Sequence, residues 1–257
     1  MSNLLAVISP AKTLDDQSHY PGLSCTQPIF SEEAAQLVKK LKPLSGTKLS
    51  ALMDISAALG EENARRYAQW HLPFTHQTAH PALLMFKGDV YRGLQAQELG
   101  EPDLKFATDN LRIISGLYGL LRPLDLVMPY RLMMATPFAH STKHKNLYAF
   151  WGTKIALQLH QEIEPRGTLV NLASSEYFKA IDSKTLDRAV VHCEFREKKG
   201  ADYKIVSTFA KLARGKMARF LIDHRITKKK DLKAFDTDGY SFHPQFSNDE
   251  TFVFTRG

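Results

Sequence analysis

Apolar residues along the chain fall into short, nearly unbroken runs that alternate with stretches of helical periodicity. Leu4-Leu5-Ala6-Val7-Ile8, Leu111-Arg112-Ile113-Ile114, Thr168-Leu169-Val170-Asn171-Leu172-Ala173 and Tyr203-Lys204-Ile205-Val206 are four such runs. At four to six residues they are too short for amphipathic helices, and they suit strands buried on both faces. Each ends in a small polar group: Ser9, Ser115-Gly116, Ser174-Ser175 and Ser207-Thr208. Residues 190–195 and 251–254 predict two more strands, the first turning through Lys198-Lys199-Gly200 towards Tyr203.

Apolar positions recur at helical spacing over residues 34–41, 48–59, 147–161 and 209–225. Ser31-Glu32-Glu33 supplies a cap and first-turn acids to the first of these helices. Strands alternating with helices predict a mixed α/β (α+β) fold, with helices around a central, largely buried sheet. No linker, repeat or low-complexity tract interrupts residues 1–257, so a single compact domain is expected. Ligands of such sheets bind beyond the carboxyl ends of strands, so the serine-ended strands are candidates to line one cleft. Small polar residues also end strands and start helices without further purpose.

Composition narrows the class. Hydrophobic residues make up 44% and charged residues 24% of the 257, which is ordinary for a globular chain. The apolar runs are far too short to cross a bilayer. Met1-Ser2-Asn3-Leu4 carries no secretory pattern, and two distant cysteines, Cys25 and Cys193, indicate no disulfide framework. A cytoplasmic location is expected. Net charge is +7, but residues 192–233 hold 13 Lys and Arg against 5 Asp and Glu. That window alone carries more than the whole excess. Clustered cations attract polyanions, because each neutralised phosphate releases condensed counterions.

Four segments are candidates for chemistry. Two helices joined through Lys42-Pro43-Leu44-Ser45-Gly46-Thr47-Lys48 outline a helix-hairpin-helix, in which Ser45, Gly46 and lysines 42 and 48 would hold backbone phosphates. The match is loose, since Lys48 stands where a second glycine is usual, and an ordinary αα-hairpin explains the same pattern. The amphipathic stretch 209–225 carries Lys211, Arg214 and Arg219, with Gly215 marking close approach by a neighbour or ligand. In the third segment Gly116 and Gly119 precede Arg122, which with Arg131 pairs with phosphate or with Asp125. The fourth places Asn171, Ser174, Glu176 and Lys179 at a strand-to-helix turn. His76/His80 and His140/His144 are spaced four apart but lack the acidic partner of a metal motif, so neither metal nor cofactor is expected.

Several longer strings together resemble the YaaA family of peroxide-stress-resistance proteins. They are Ile8-Ser9-Pro10-Ala11-Lys12-Thr13-Leu14, Phe86-Lys87-Gly88-Asp89-Val90-Tyr91 with Gly93-Leu94, and residues 111–125 with Pro129-Tyr130-Arg131-Leu132. Phe150-Trp151-Gly152, residues 171–179, residues 211–219 and Gly239-Tyr240 complete the match. Met133 and Ala149 depart from it, standing where an acid and a polar residue are common. The resemblance implies a bacterial, cytoplasmic protein that protects DNA from hydrogen peroxide and unincorporated iron. It implies DNA binding through a positive cleft and a helix-hairpin-helix.

Carried onto matching basic positions, the expected DNA contacts are Lys12, Lys42, Ser45, Gly46, Lys48, Arg122, Arg131, Lys179, Lys211, Arg214 and Arg219. Double-stranded or structured DNA is the expected partner, with no membrane and no obligate protein partner. The alternative is an enzyme acting on a nucleotide or modified base, with Ser9, Lys12, Ser115, Asn171, Glu176 and Lys179 as its cluster.

Overall fold

Strand β1 (Ser2–Ile8) is buried continuously from Leu4 to Ile8 because both of its faces and both of its edges are covered. The computed structural model describes residues 2–18, 20 and 22–257. β1 pairs in parallel with β2 (Leu111–Ser115) on one side and with β4 (Ile163–Asn171) on the other. Registers Ile8↔Ile113 and Val7↔Asn171 bring the three carboxyl ends level. β3 (Gly119–Leu121) returns antiparallel on β2. Beyond β4 lie β5 (Ala189–Lys199), then β8 (Thr251–Arg256), both parallel, and β7 (Ser241–Phe242) antiparallel at the edge. Strand order is β7-β8-β5-β4-β1-β2-β3, with β6 (Asp202–Lys204) hairpinned on the end of β5. The parallel centre explains the unbroken apolar runs, while β5 alternates, burying Val191, Cys193 and Phe195.

Several boundaries differ from those predicted. The helix expected over residues 48–59 is two, α2 (Gly46–Met53) and α3 (Ala57–Gln69). Asp54 adopts a left-handed conformation (φ 51°) that ends the first, and the Ser56 hydroxyl accepts the Leu59 amide to start the second. Residues 147–161 break at Gly152 (φ 49°) into α6 (Leu147–Trp151) and α7 (Lys154–Glu162). The run at Tyr203 is not a buried strand. Its Ile205 stays exposed, and Ser207 opens helix α9 (Ser207–Asp223). The helix at Ser31 forms as α1 (Ser31–Leu41), and one continuous hydrophobic core joins sheet and helices. Among the described residues no helix is long and apolar enough to cross a membrane.

Helix α9 crosses α4 (Asp89–Leu94) at a separation that only glycine permits. A Cβ on Gly215 would lie 1.8 Å from the Val90 carbonyl oxygen, and one on Gly93 would lie 2.2 Å from that of Leu212. Both obstructions are backbone and cannot swing aside. The glycine at 215 therefore answers to a neighbouring helix, and its propensity cost of about 1 kcal/mol is offset by the packing it allows. Gly215→Ala is expected to destabilise the protein by about 1–3 kcal/mol despite the gain in helix propensity. Urea denaturation would measure this, and a neutral or stabilising result would mean that the helices separate without strain.

Candidate anion-binding cavity

The connection from β1 runs to β2 on one side, and the chain later returns to β4 on the other, so the strand order reverses at β1. Parallel sheets open a crevice at such a reversal, outside the carboxyl ends of the strands. A cavity of about 460 Å³ lies there, lined by Ser9 after β1 and by Ser174 and Glu176 after β4. Its frame is hydrogen-bonded across the strand ends. The Ser9 hydroxyl accepts the Ser174 amide at 2.8 Å, and Tyr91 donates its phenol to the Ser9 carbonyl at 3.1 Å. Ser115 and Tyr130 share a hydrogen bond of 2.6 Å beneath. Burial pushes the phenols of Tyr91, Tyr130 and Tyr177 well above their ordinary range, so these groups stay protonated and do not act as bases.

Basic side chains reach this cavity from separate parts of the chain. Lys12 follows β1, Arg131 lies on the segment after β3, and Lys211 and Arg214 share one face of α9. The α4–α9 crossing sets α9 beside Asp89, Val90 and Tyr91 of the cavity wall. Gly116 plays the matching part for Arg131. A Cβ there would lie 2.2 Å from the Leu132 carbonyl oxygen, so the segment bearing Arg131 runs hard against the end of β2. The two glycines of this region thus admit protein, not ligand: Gly119 (φ 67°) lies against the ring of Trp151.

Among the described residues, Lys12, Arg131, Lys211 and Arg214 have no side-chain hydrogen bond and no ion pair. Arg214 is half-buried, and its burial draws the guanidinium below its ordinary pKa against the opposing influence of Cys193 and Glu194. The Glu194 carboxylate is itself taken by Arg196 at 2.6 Å. Two other charged groups of the wall are satisfied locally. Lys87 pairs with Asp15 at 3.3 Å, and Asp89 with Arg92 at 3.2 Å. Glu176 accepts the Ala135 amide at 3.0 Å through Oε1. Cations without ion-pair partners among the described residues, one of them partly desolvated, make a receptor for an anion.

The other basic residues expected at the site lie elsewhere. Arg122 grips the fully buried carboxylate of Asp125 through Nε at 3.0 Å and the Gln27 carbonyl through Nη2 at 2.8 Å, so it is a structural pair. Arg219 chelates Asp223 at 2.8 and 2.9 Å and reaches Glu98 at 3.5 Å. Lys179 sits over the Tyr148 ring and does not line the cavity. Lys42, Ser45, Gly46 and Lys48 lie at the turn between α1 and α2, apart from the cavity lining. Ser45 caps α2 by accepting the Lys48 amide at 3.3 Å, and a Cβ on Gly46 would lie 2.1 Å from a carboxylate oxygen of Glu61. The hairpin glycine is thus occupied by α3, leaving the exposed lysines to meet any phosphate.

The alternative catalytic cluster divides. Ser9, Lys12 and Glu176 line the cavity. Ser115 is buried beneath it on Tyr130, and Asn171 is turned to the Nδ1 of His192 at 2.9 Å. The Ser9 hydroxyl meets Ser174, and no imidazole or carboxylate hydrogen-bonds to it among the described residues. Sequence reasoning passed over Tyr91, Tyr130 and Lys87 as site residues. Their place depends on the α4–α9 crossing and on the two-residue ladder between Thr13-Leu14 and Phe86-Lys87. The tyrosines within the strings that carry the family resemblance, at Phe86–Lys87–Tyr91 and Pro129–Tyr130–Arg131, were the available signal.

Fold and site together define an α/β protein with a cavity of basic lining at the switch point of its parallel sheet. The chain belongs to the peroxide stress protein YaaA family, whose model matches residues 4–246. It is 48% identical over 255 residues to a UPF0246 protein of Cellvibrio japonicus, covering 98% of both chains. It is 47% identical over 255 residues to one of Aliivibrio fischeri and 48% identical over 259 to one of Burkholderia cenocepacia, again covering 98% of each chain. Membership is consistent with a role in the response to hydrogen peroxide.

The loop after Lys12 has an electrostatic signature. Burial alone would raise the pKa of Asp15, but hydrogen bonds from the Ser18 hydroxyl, the Ser18 and Gln17 amides and Lys87 bring it down to about 2. A depressed carboxylate contributes stability above its unfolded pKa and loses it as pH falls through the folded value. Asp15→Asn is therefore expected to lower Tm by about 2–4 °C at neutral pH. The gap should close between about pH 4 and pH 2 in melting experiments, and a gap constant with pH would refute the linkage.

Proposed function

We propose that this protein is a cytoplasmic DNA-binding protein of the hydrogen peroxide response, holding the sugar-phosphate backbone without reading sequence and shielding DNA from iron-dependent oxidation. The observation that carries this reading is the convergence of Lys12, Arg131, Lys211 and Arg214 on one cavity, none of them ion-paired to a carboxylate among the described residues. Uncompensated cations of this kind repel one another when the site is empty, and a phosphate relieves the repulsion.

The hairpin supports the same reading through α3. Its first turns hold Gly60 against Gly46 of the hairpin, while Tyr67 further along donates its phenol to the Arg131 carbonyl at 2.7 Å. Seven residues of helix separate these points by about 10 Å. Exposed Lys42 and Lys48 thus lie within reach of a backbone whose phosphates also approach the cavity. Such contacts position a duplex and carry no base information.

Binding of a short duplex is expected to weaken steeply between 50 and 200 mM salt. Lys211→Ala should reduce affinity roughly fivefold to tenfold at low salt and lessen the log–log salt slope by about 1. Lys105→Ala, outside this cavity, should leave both within about twofold. Fluorescence anisotropy titrations check this. Affinity indifferent to salt, or equal effects of the two substitutions, would remove the proposed grip.

A further inference from the structure

The cavity is much smaller than a duplex. A volume of 460 Å³ corresponds to a sphere about 10 Å across, less than the 12 Å of a major groove alone, and it falls within the range of small-molecule sites. A double helix can lie across its mouth but cannot enter. What enters is one unit of a strand, or a free molecule of that size.

The lining indicates which unit. Four unpaired cations call for phosphate, but inorganic phosphate alone would leave two features unused. The lining also has an apolar part, contributed by Pro10, Val90, Leu132 and Met133. Glu176 also faces the cavity, and a carboxylate is adverse to a bare anion. Its Oε1 is fixed by the Ala135 amide, and Oε2 has no hydrogen-bond partner among the described residues. Tyr148 donates its phenol to the Glu176 carbonyl at 3.0 Å, which fixes the backbone that carries this acceptor. A ligand matched to the cavity therefore carries an anion at one end, an apolar ring, and an N–H donor for Glu176. Carboxylates accept from the exocyclic amine of cytosine in this way.

We propose that the cavity takes a single nucleotide with an amino-bearing base, its phosphate among Lys12, Arg131, Lys211 and Arg214 and its amine on Glu176. This deepens the DNA-binding reading and rests on it for the source of the nucleotide, an unpaired nucleotide within DNA. A free nucleotide has the same chemistry and is the other source.

The test uses the full chain and calorimetry with dCMP, dTMP and inorganic phosphate, followed by anisotropy with a fully paired duplex and one bearing a single unpaired cytidine. dCMP should bind at least tenfold tighter than phosphate and about fivefold tighter than dTMP. Glu176→Gln, which keeps shape, should abolish the preference for dCMP over dTMP while leaving phosphate binding undiminished or stronger, since it removes a carboxylate adverse to the anion. Lys211→Ala, at an exposed position, should weaken all three ligands. Tighter binding of the duplex with the unpaired cytidine, competed by dCMP, assigns the nucleotide to DNA, whereas nucleotide binding without that difference assigns it to a free nucleotide. If dCMP binds no better than phosphate, or Glu176→Gln leaves the base preference intact, the inference is overturned even where the paired duplex still binds. Failure of every duplex to bind would overturn the DNA-binding reading instead.

Discussion

The site depends on one steric constraint, the contact of α4 with α9 through Gly93 and Gly215. Each glycine admits a backbone carbonyl of the opposite helix where a side chain would collide. This contact ties the wall that bears Tyr91 to the helix that bears Lys211 and Arg214. Without it, cations almost 200 residues beyond Lys12 in the chain would have no fixed position against the end of β1. Gly116 does the same on a smaller scale for the segment of Arg131. The protein thus uses backbone proximity, which is rigid, to hold long flexible cations at a common focus.

Charge is partitioned along α9 in a way that gives the focus its meaning. The later basic residues of the helix are neutralised: Lys216 by Asp238, and Arg219 by Asp223 and Glu98. The earlier two, Lys211 and Arg214, are not. Arg122 belongs with the neutralised group, since removing it would strand a buried Asp125 whose pKa burial already raises despite its hydrogen bonds from Thr26 and Arg122. A uniformly basic helix would be a solvated face; along α9 unequal neutralisation leaves the unpaired charge at the end that lines the cavity.

Much of this framework was legible in the sequence. Residues 4–8, 111–114 and 168–173 read as buried strands because their runs are largely apolar on both faces, and two of their terminal serines, Ser9 and Ser174, do meet at one crevice, with Ser115 buried beneath it. Two pairings were legible in principle by spacing, Arg122 with Asp125 and Arg219 with Asp223, and both withdraw an arginine from the expected set. What periodicity could not give was distance between segments. The partner of Gly215 is Val90, and that of Gly46 is Glu61, in each case a contact that no local pattern announces. The helix predicted over 48–59 failed for a local reason, the left-handed Asp54 followed by the Ser56 cap.

The central claim is that the arginines differ in role according to whether a carboxylate already holds them. Nuclear magnetic resonance of the arginine Nε–Hε groups, recorded as a short DNA duplex is added, examines this directly. Resonances of Arg131 and Arg214 should shift and their exchange with water should slow, while those of Arg122 and Arg219 stay in place. Shifts confined to Arg122 and Arg219, or none at Arg214, would contradict the account.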